Sequence, residues 1–267
     1  NKLALIKALS FVKSIENNAD LKGVVGVSNE VKNKTTELKL GEIQSTTDFG
    51  FAKNQNEMIG VDIMHNKGYK GEGVLIGVLD SGFLNAPSLT VLQSLFSDKR
   101  IIQTWDFVDN EVNVYNDHSH GTNVLSVMAA DQEGVMVGVA PKANYALYRT
   151  EDVSSETRIE EYYWLTAAEK ADSLGVDVIN SSLGYTQFDN AAQNYIHANL
   201  TGDYTLAAKA ADWAVSKGII VVVSAGNEGN NSWGKIGTPA DADSVIAVGA
   251  VDASQFYVNF SSLGPNA

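Results

Sequence analysis

Cysteine is absent from these 267 residues. That removes disulfides, thiolate nucleophiles and cysteine-ligated zinc, and it leaves the redox compartment open. Basic residues are scarce: 19 Lys and Arg stand against 32 Asp and Glu, for a formal charge of −13. A nucleic-acid partner needs a basic stripe to meet its phosphates, so that class is excluded. The acidity is spread along the chain and suits solubility rather than a cationic partner. No apolar run approaches the roughly 20 residues that span a bilayer, and no membrane span is expected. No signal peptide is visible and the first residue is Asn1, so the N-terminus is expected to be processed or cut. Internal repeats are also lacking. What remains, at 44% hydrophobic and 19% charged residues, is an ordinary globular chain, long enough for one large α/β domain or a domain with a small appendage.

Residues 1 to about 50 differ from the rest. LALIKALSFVKSI suits a short helix followed by a strand, and the polar, turn-rich stretch after it suits a linker. From about residue 56, helical and strand patterns alternate. EMIGVDIMHNKG predicts a helix ending at Gly68. VLIGVLD, ANYALYR, VDVINSSLG, IIVVVSAGN and SVIAVGAV are short apolar runs of the kind buried on both faces of a sheet. RIEEYYWLTAAEKADSLG places Ile159, Tyr162, Tyr163, Ala167, Ala171 and Leu174 on one helix face. TLAAKAADWAVSKG places Leu206, Ala210, Trp213, Ala214 and Lys217 on another and ends at Gly218. The alternation predicts an α/β fold, a parallel sheet with helices on both faces.

Functional groups in such sheets gather beyond the carboxyl ends of the strands. Asp80 ends one strand there, Asn180 and Ser182 another, and Ser224, Gly226 and Asn227 a third. A carboxylate at the position of Asp80 can bind Mg²⁺, orient a basic partner or cap a turn. DHSHGTNVLSVMAAD, residues 117–131, holds two of only 4 histidines at the mouth of an apolar helix expected from Val124 to Ala130. His120 suits a base near neutral pH, and the following Gly121 allows a close approach. His118 is read as a capping or hydrogen-bonded residue that faces away from the group His120 faces. Asn227 can donate an amide hydrogen bond into a crevice or occupy a left-handed turn. Asp80-Ser81-Gly82-Phe83-Leu84 lacks the Gly-x-Gly-x-x-Gly turn of a dinucleotide site. A Mg²⁺-dependent hydrolase built on Asp80 would leave Asn227 without a purpose.

In combination and order, VLDSG around Asp80, DHSHGTNVLSVMAA around His120, VINSSLG around Ser182 and VVVSAGNEGN around Asn227 resemble the subtilisin-like serine proteases. Asp before His is also that family's order. The resemblance runs from about residue 56 to the end and implies their fold, incomplete at the C-terminus. It implies that His120 is general base and acid, that Asp80 holds its imidazole and that Asn227 donates to the oxyanion. Ser182, Leu183 and Gly184 would pair with substrate backbone, and Ser224, Ala225 and Gly226 would line the first specificity pocket. Asn123 and Leu125 depart from the HGTHVAG of many relatives but leave His120 and Gly121 intact. The family's nucleophile lies in a Gly-Thr-Ser segment, and no Gly-Thr-Ser occurs here; Gly237-Thr238-Pro239 is the nearest approach. The expectation is therefore a fragment of a serine endopeptidase that stops before its serine, with an inactive pseudoprotease that binds extended peptides as the alternative. Residues 1–50 would be the remnant of an inhibitory prodomain and its linker, and 51–267 the catalytic domain. The resemblance further implies polypeptide substrates, a monomer, and bacterial-type export to the cell surface or medium. No cofactor is required. Structural calcium is common in the family, and Glu151, Asp152 and Glu156, or Asp106, Asp109 and Glu111, offer oxygens. Neither set has a recognisable ligand register, so both are read as solvated acidic loops and no metal residue is assigned.

Overall fold

The computed structural model describes residues 46–264. Most of the expected prodomain remnant, residues 1–45, lies outside the described residues, as do 265–267. The strands are β1 (Leu75–Asp80), β2 (Ile101–Asp106), β3 (Asp131–Gln132), β4 (Met136–Val137), β5 (Asn144–Arg149), β6 (Val178–Ser181), β7 (Ile220–Ser224) and β8 (Ile246–Val248). The α-helices are α1 (Lys53–Met58), α2 (Val61–Asn66), α3 (Gln93–Ser97), α4 (His120–Ala129), α5 (Ile159–Leu174) and α6 (Leu206–Lys217). Six strands pair in the order β2-β5-β1-β6-β7-β8, all parallel, while β3 and β4 form a separate antiparallel pair.

The apolar run that makes β1 is buried from Ile76 to Asp80, as a strand covered on both faces must be. On one face Leu79, Ile179, Val221 and Val223 pack with Trp164 and the alanines of α5 and α6. On the other, Ile76, Val78, Tyr145 and Leu147 pack with Leu92, Leu95, Leu125 and Ala129, the last three from α3 and α4. Helices therefore cover both faces, and the α/β class expected from the alternation is the one observed. α6 opens on Thr205, whose hydroxyl accepts the Ala208 N–H at 3.1 Å, and closes on Gly218 at φ +106°. The stop at Gly218 is the one the sequence suggested, and the Thr205 cap is added by the structure. Among the described residues no helix is long and apolar enough to cross a membrane.

Four details differ from expectation. EMIGVDIMHNKG does not lie in one helix: α1 ends at Met58, and Gly60, at φ +77°, precedes the separate α2. The buried stripe of α5 is Glu160, Glu161, Trp164, Ala167, Ala168 and Ala171, while Ile159 and Tyr162 are exposed. Two glutamates go inward because donors meet them there. Glu160 accepts the N–H groups of Asp152 and Thr157, and Glu161 accepts the Tyr195 hydroxyl and the Ala207 N–H. In α6 the buried face is Ala207, Ala208, Ala210, Ala211 and Ala214, and Trp213 is exposed. Finally, SVIAVGAV yields only the short β8 at one edge of the sheet, exposed at every residue, and the opposite edge is β2, which the apolar-run criterion does not find.

Strand register sets the site. Asp80 lies opposite Arg149, Leu79 opposite Ser181, and Ser181 opposite Val223. The next residues, Asp80, Ser182 and Ser224, therefore step along one carboxyl edge at about 4.8 Å per strand.

Candidate active site

Asp80 is the last residue of β1 and fully buried. A carboxylate in such a place needs donors. Its Oδ1 accepts the Ser81 backbone N–H at 2.8 Å and lies 2.7 Å from Nδ1 of His120, with the Ser81 hydroxyl 3.3 Å away. Its Oδ2 is buried without a hydrogen-bond partner among the described residues. An ionised carboxylate can only accept, so neutral His120 carries its proton on Nδ1 and keeps the Nε2 lone pair free. The His120 side chain is 46% exposed, so that lone pair is within reach of a ligand. The hydrogen bond that His120 donates to Asp80 pushes the His120 pKa above its ordinary 6.5; partial burial opposes the rise and the Asp80 charge adds to it.

His120 opens α4 rather than preceding a helix that begins at Val124. Gly121 makes the contact with β1 sterically feasible. A Cβ there would lie 2.5 Å from the Gly82 carbonyl oxygen and 3.0 Å from the Asp80 Cβ. The Thr122 hydroxyl then pins the first turn by donating to the Leu84 carbonyl at 2.9 Å.

His118 does not face away from this group. Its ring is nearly parallel to that of His120, with centroids 6.5 Å apart, and its Nδ1 is 2.9 Å from the Ser81 hydroxyl. The turn Ser81–Leu84 causes this placement: the Leu84 N–H donates to the His118 carbonyl, and Gly82, at φ +129°, lets the two backbones touch. The reading of His118 as a hydrogen-bonded residue agrees with the Ser81 contact, but its placement away from His120 does not.

Arg149 is a second group that sequence reasoning missed. It is buried beside Asp80, and its Nη1 pairs with Asp106 at 2.8 Å, Asp109 at 2.7 Å and Asp117 at 3.4 Å. One guanidinium so ties the end of β2, the turn after it and the segment leading to His120. Asp106, Asp109 and Asp117 bring oxygens within 4.8 Å of one another, as a cation site would, but Arg149 already stands among them. Glu111 joins only through backbone pairing with Asp106. Of the other calcium candidates, Glu151 meets the Tyr185 and Thr150 hydroxyls, and Asp152 meets Ser154 and Ser155. Burial, with Glu160 and Asp189 nearby, pushes Glu156 from 4.5 up to about 7.

Ser182, Leu183, Gly184, Ser224, Ala225, Gly226 and Asn227 come together around a cavity of about 140 Å³, completed by Thr186, Glu228 and Gly237. Asp80 and His120 lie outside its lining and reach the same sheet edge through β1. Gly226, at φ +105°, turns the chain so that Ser262 can approach; a Cβ there would be 2.9 Å from the Ser262 hydroxyl. Glu228 was legible only as the residue after Asn227 in NEGN, yet it places a carboxylate at the cavity, hydrogen-bonded by Asn231.

Comparison with known proteins gives consistent matches. The Peptidase_S8 profile, described as the subtilase family, matches residues 71–267. Subtilisin NAT of Bacillus subtilis subsp. natto is 36% identical over 205 residues, which cover 75% of this chain and 47% of that protein. Subtilisin DY of Bacillus licheniformis is 34% identical over 209 residues, covering 78% and 67%. The minor extracellular protease Vpr of Bacillus subtilis (strain 168) is 27% identical over 274 residues, covering 98% of this chain and 30% of Vpr. This chain thus spans about half the length of subtilisin NAT. Among solved structures, MycP1 with its N-terminal propeptide removed superposes with a TM-score of 0.59 at 22% identity, covering 79% of this chain and 67% of that one. A lanthipeptide protease gives a TM-score of 0.58 at 22% identity, covering 80% and 58%.

Proposed function

This chain belongs to the subtilase family, and from that premise we propose that it carries the base, the orienting carboxylate and the substrate cleft of a subtilisin-type serine endopeptidase. The observation that carries this reading is the 2.7 Å contact between His120 Nδ1 and the buried Asp80. It leaves Nε2 as the only basic atom of the ring. In the proposed reaction Nε2 takes the proton of a serine hydroxyl as that oxygen attacks the scissile carbonyl. Asp80 keeps the ring oriented and stabilises the imidazolium. The proton then passes to the leaving amine, and water repeats the sequence on the acyl-enzyme. Asn227 donates to the oxyanion. Ser182–Gly184 pairs with the substrate backbone, and the cavity bounded by Ser224–Gly226 takes the side chain before the cleaved bond.

The serine itself is proposed to lie outside these 267 residues, because the motif is absent and the serines nearby have other duties. The Ser81 hydroxyl stands between Asp80 and His118, Ser261 Oγ accepts the Ala250 N–H, and Ser262 Oγ accepts the Glu228 N–H. Polypeptides are the substrates, residues 1–50 the remnant of an inhibitory prodomain with its linker, 51–267 the catalytic part, and export the route. One observation favours a second reading, a peptide-binding pseudoprotease: Ser182–Gly184 and Ser224–Asn227 line one cavity in a sequence without Gly-Thr-Ser. A fluorophosphonate probe applied to the full gene product separates the two. Labelling is expected, and it should be lost in His120→Ala with the circular dichroism spectrum intact. A folded product that takes no label but binds extended peptides overturns the peptidase in favour of the pseudoprotease.

A further inference from the structure

Asp80 concentrates its hydrogen bonds on one oxygen. Oδ1 meets the Ser81 N–H, the Ser81 hydroxyl and His120, while Oδ2 meets none among the described residues. Whatever the Ser81 hydroxyl does is therefore felt on the oxygen that holds His120. That hydroxyl has one proton and two acceptors within reach, Asp80 Oδ1 at 3.3 Å and His118 Nδ1 at 2.9 Å. When His118 is neutral, Ser81 can give its proton to either. When His118 is charged, both its nitrogens donate, and the hydroxyl can only turn to Asp80. A further donor on Oδ1 makes that oxygen a weaker base and a weaker partner for His120.

We propose that His118 is a positioning residue for His120, acting through the Ser81 hydroxyl, whose direction it sets and with it the proton affinity of the His120–Asp80 pair. This rests on the reading of His120 as the base. The charged groups around the relay are Asp80 from β1, Asp117 from the preceding segment, and Arg149 with its partners Asp106 and Asp109. Arg149 is engaged by all three of those carboxylates, so its Nη1 does not serve the relay. His118 itself is exposed. Direct repulsion between two imidazolium rings 6.5 Å apart would act in the same direction, so the hydroxyl must be separated from it by experiment.

The test is a proton-nitrogen NMR titration of the imidazoles in the 267-residue chain, which reads both rings without substrate or hydrolysis. A failed relay would leave the peptidase reading standing, and a failed peptidase assay would leave the titration standing. In the unmodified chain the His120 signal should follow two steps, its own and that of His118. In Ser81→Ala the second step should shrink while the rings stay in place, with proton affinity at His120 changed about two- to fivefold, within one pKa unit. Ser81→Thr, which keeps the hydroxyl, should restore it, and His118→Phe should remove it altogether. Should Ser81→Ala fail to fold, Ser81→Val takes its place: it matches Ser81→Thr in shape and lacks the hydroxyl, so the second step should be present in Ser81→Thr and shrink in Ser81→Val. A His120 curve with the same single step in all of these proteins overturns the proposal. So does coupling that survives in Ser81→Ala and vanishes only in His118→Phe, since that leaves ring repulsion as the whole cause.

Discussion

At the scale of single residues, the site depends on one carboxylate and one missing side chain. Asp80 raises the His120 pKa, and the sign of the consequence is fixed. A group that holds its proton more tightly when folded contributes stability in full below its unfolded value, near 6.5, and loses it as pH rises through the higher folded value. On the proposed reading catalysis runs the other way, because only a neutral His120 can take up a proton. Asp80→Asn should therefore move the His120 titration down in pH, by NMR, and flatten the loss of stability above pH 6.5. In a serine-bearing form of the protein, on the proposed reading, it should lower turnover by about 10⁴, as the corresponding change does in a Ser-His-Asp triad. An unchanged His120 titration in Asp80→Asn would refute the pairing. Gly121→Ala tests the close approach. The added Cβ would meet the Gly82 carbonyl oxygen at 2.5 Å, and neither backbone can yield without parting His120 from Asp80. A loss of about 1–3 kcal/mol in urea denaturation is expected, as for overpacking elsewhere. Stability equal to wild type would mean that the helix start is not pressed against β1.

At the scale of elements, strands were legible where burial on both faces wrote them as apolar runs, as in β1 and β5. β2 escaped because an edge strand needs no such run: Gln103 and Thr104 interrupt it, and only Asp106 is fully buried. The faces of α5 and α6 were misphased for a related reason. Alanine gives periodicity little contrast, and a large aromatic such as Trp213 draws a pattern toward itself although it is exposed. Glu160 and Glu161 do not belong to the expected apolar stripe, and the donors that bring them in lie 3 to 46 residues away. The same kind of distance hid the contact between Ser81 and His118, which are separated by 37 positions with no local pattern to join them. The turn before α5 offers its own test. Glu156, raised to about 7 chiefly by burial, loses stability as pH climbs from about 4.5 to about 7. Glu156→Gln, always neutral, should match wild type near pH 4 and exceed it above pH 7 in urea denaturation. A gain of the same size at both pH values would attribute the effect to packing rather than ionisation.

At the scale of the whole chain, one sheet edge and the net charge oppose each other. β8 ends the sheet among the described residues, with Ile246 54% and Val248 49% exposed, and an unprotected edge of this kind invites another strand. Tyr257, Phe260 and Leu263 add further exposed apolar surface. Against this stands a formal charge of −13, which keeps copies apart at low ionic strength. Raising salt from 10 mM to 1 M shortens the screening length from about 30 Å to about 3 Å. Apolar attraction is not screened, so sedimentation equilibrium should show monomer at low salt and growing association at high salt. Val248→Lys separates the edge from the charge. It makes the chain less negative by one, which by charge alone should strengthen association, yet it places a cation on the strand that would pair, which should weaken it. Weaker association in Val248→Lys at 1 M salt would identify β8 as the contact. Association equal to or stronger than wild type would locate the attraction elsewhere on the surface.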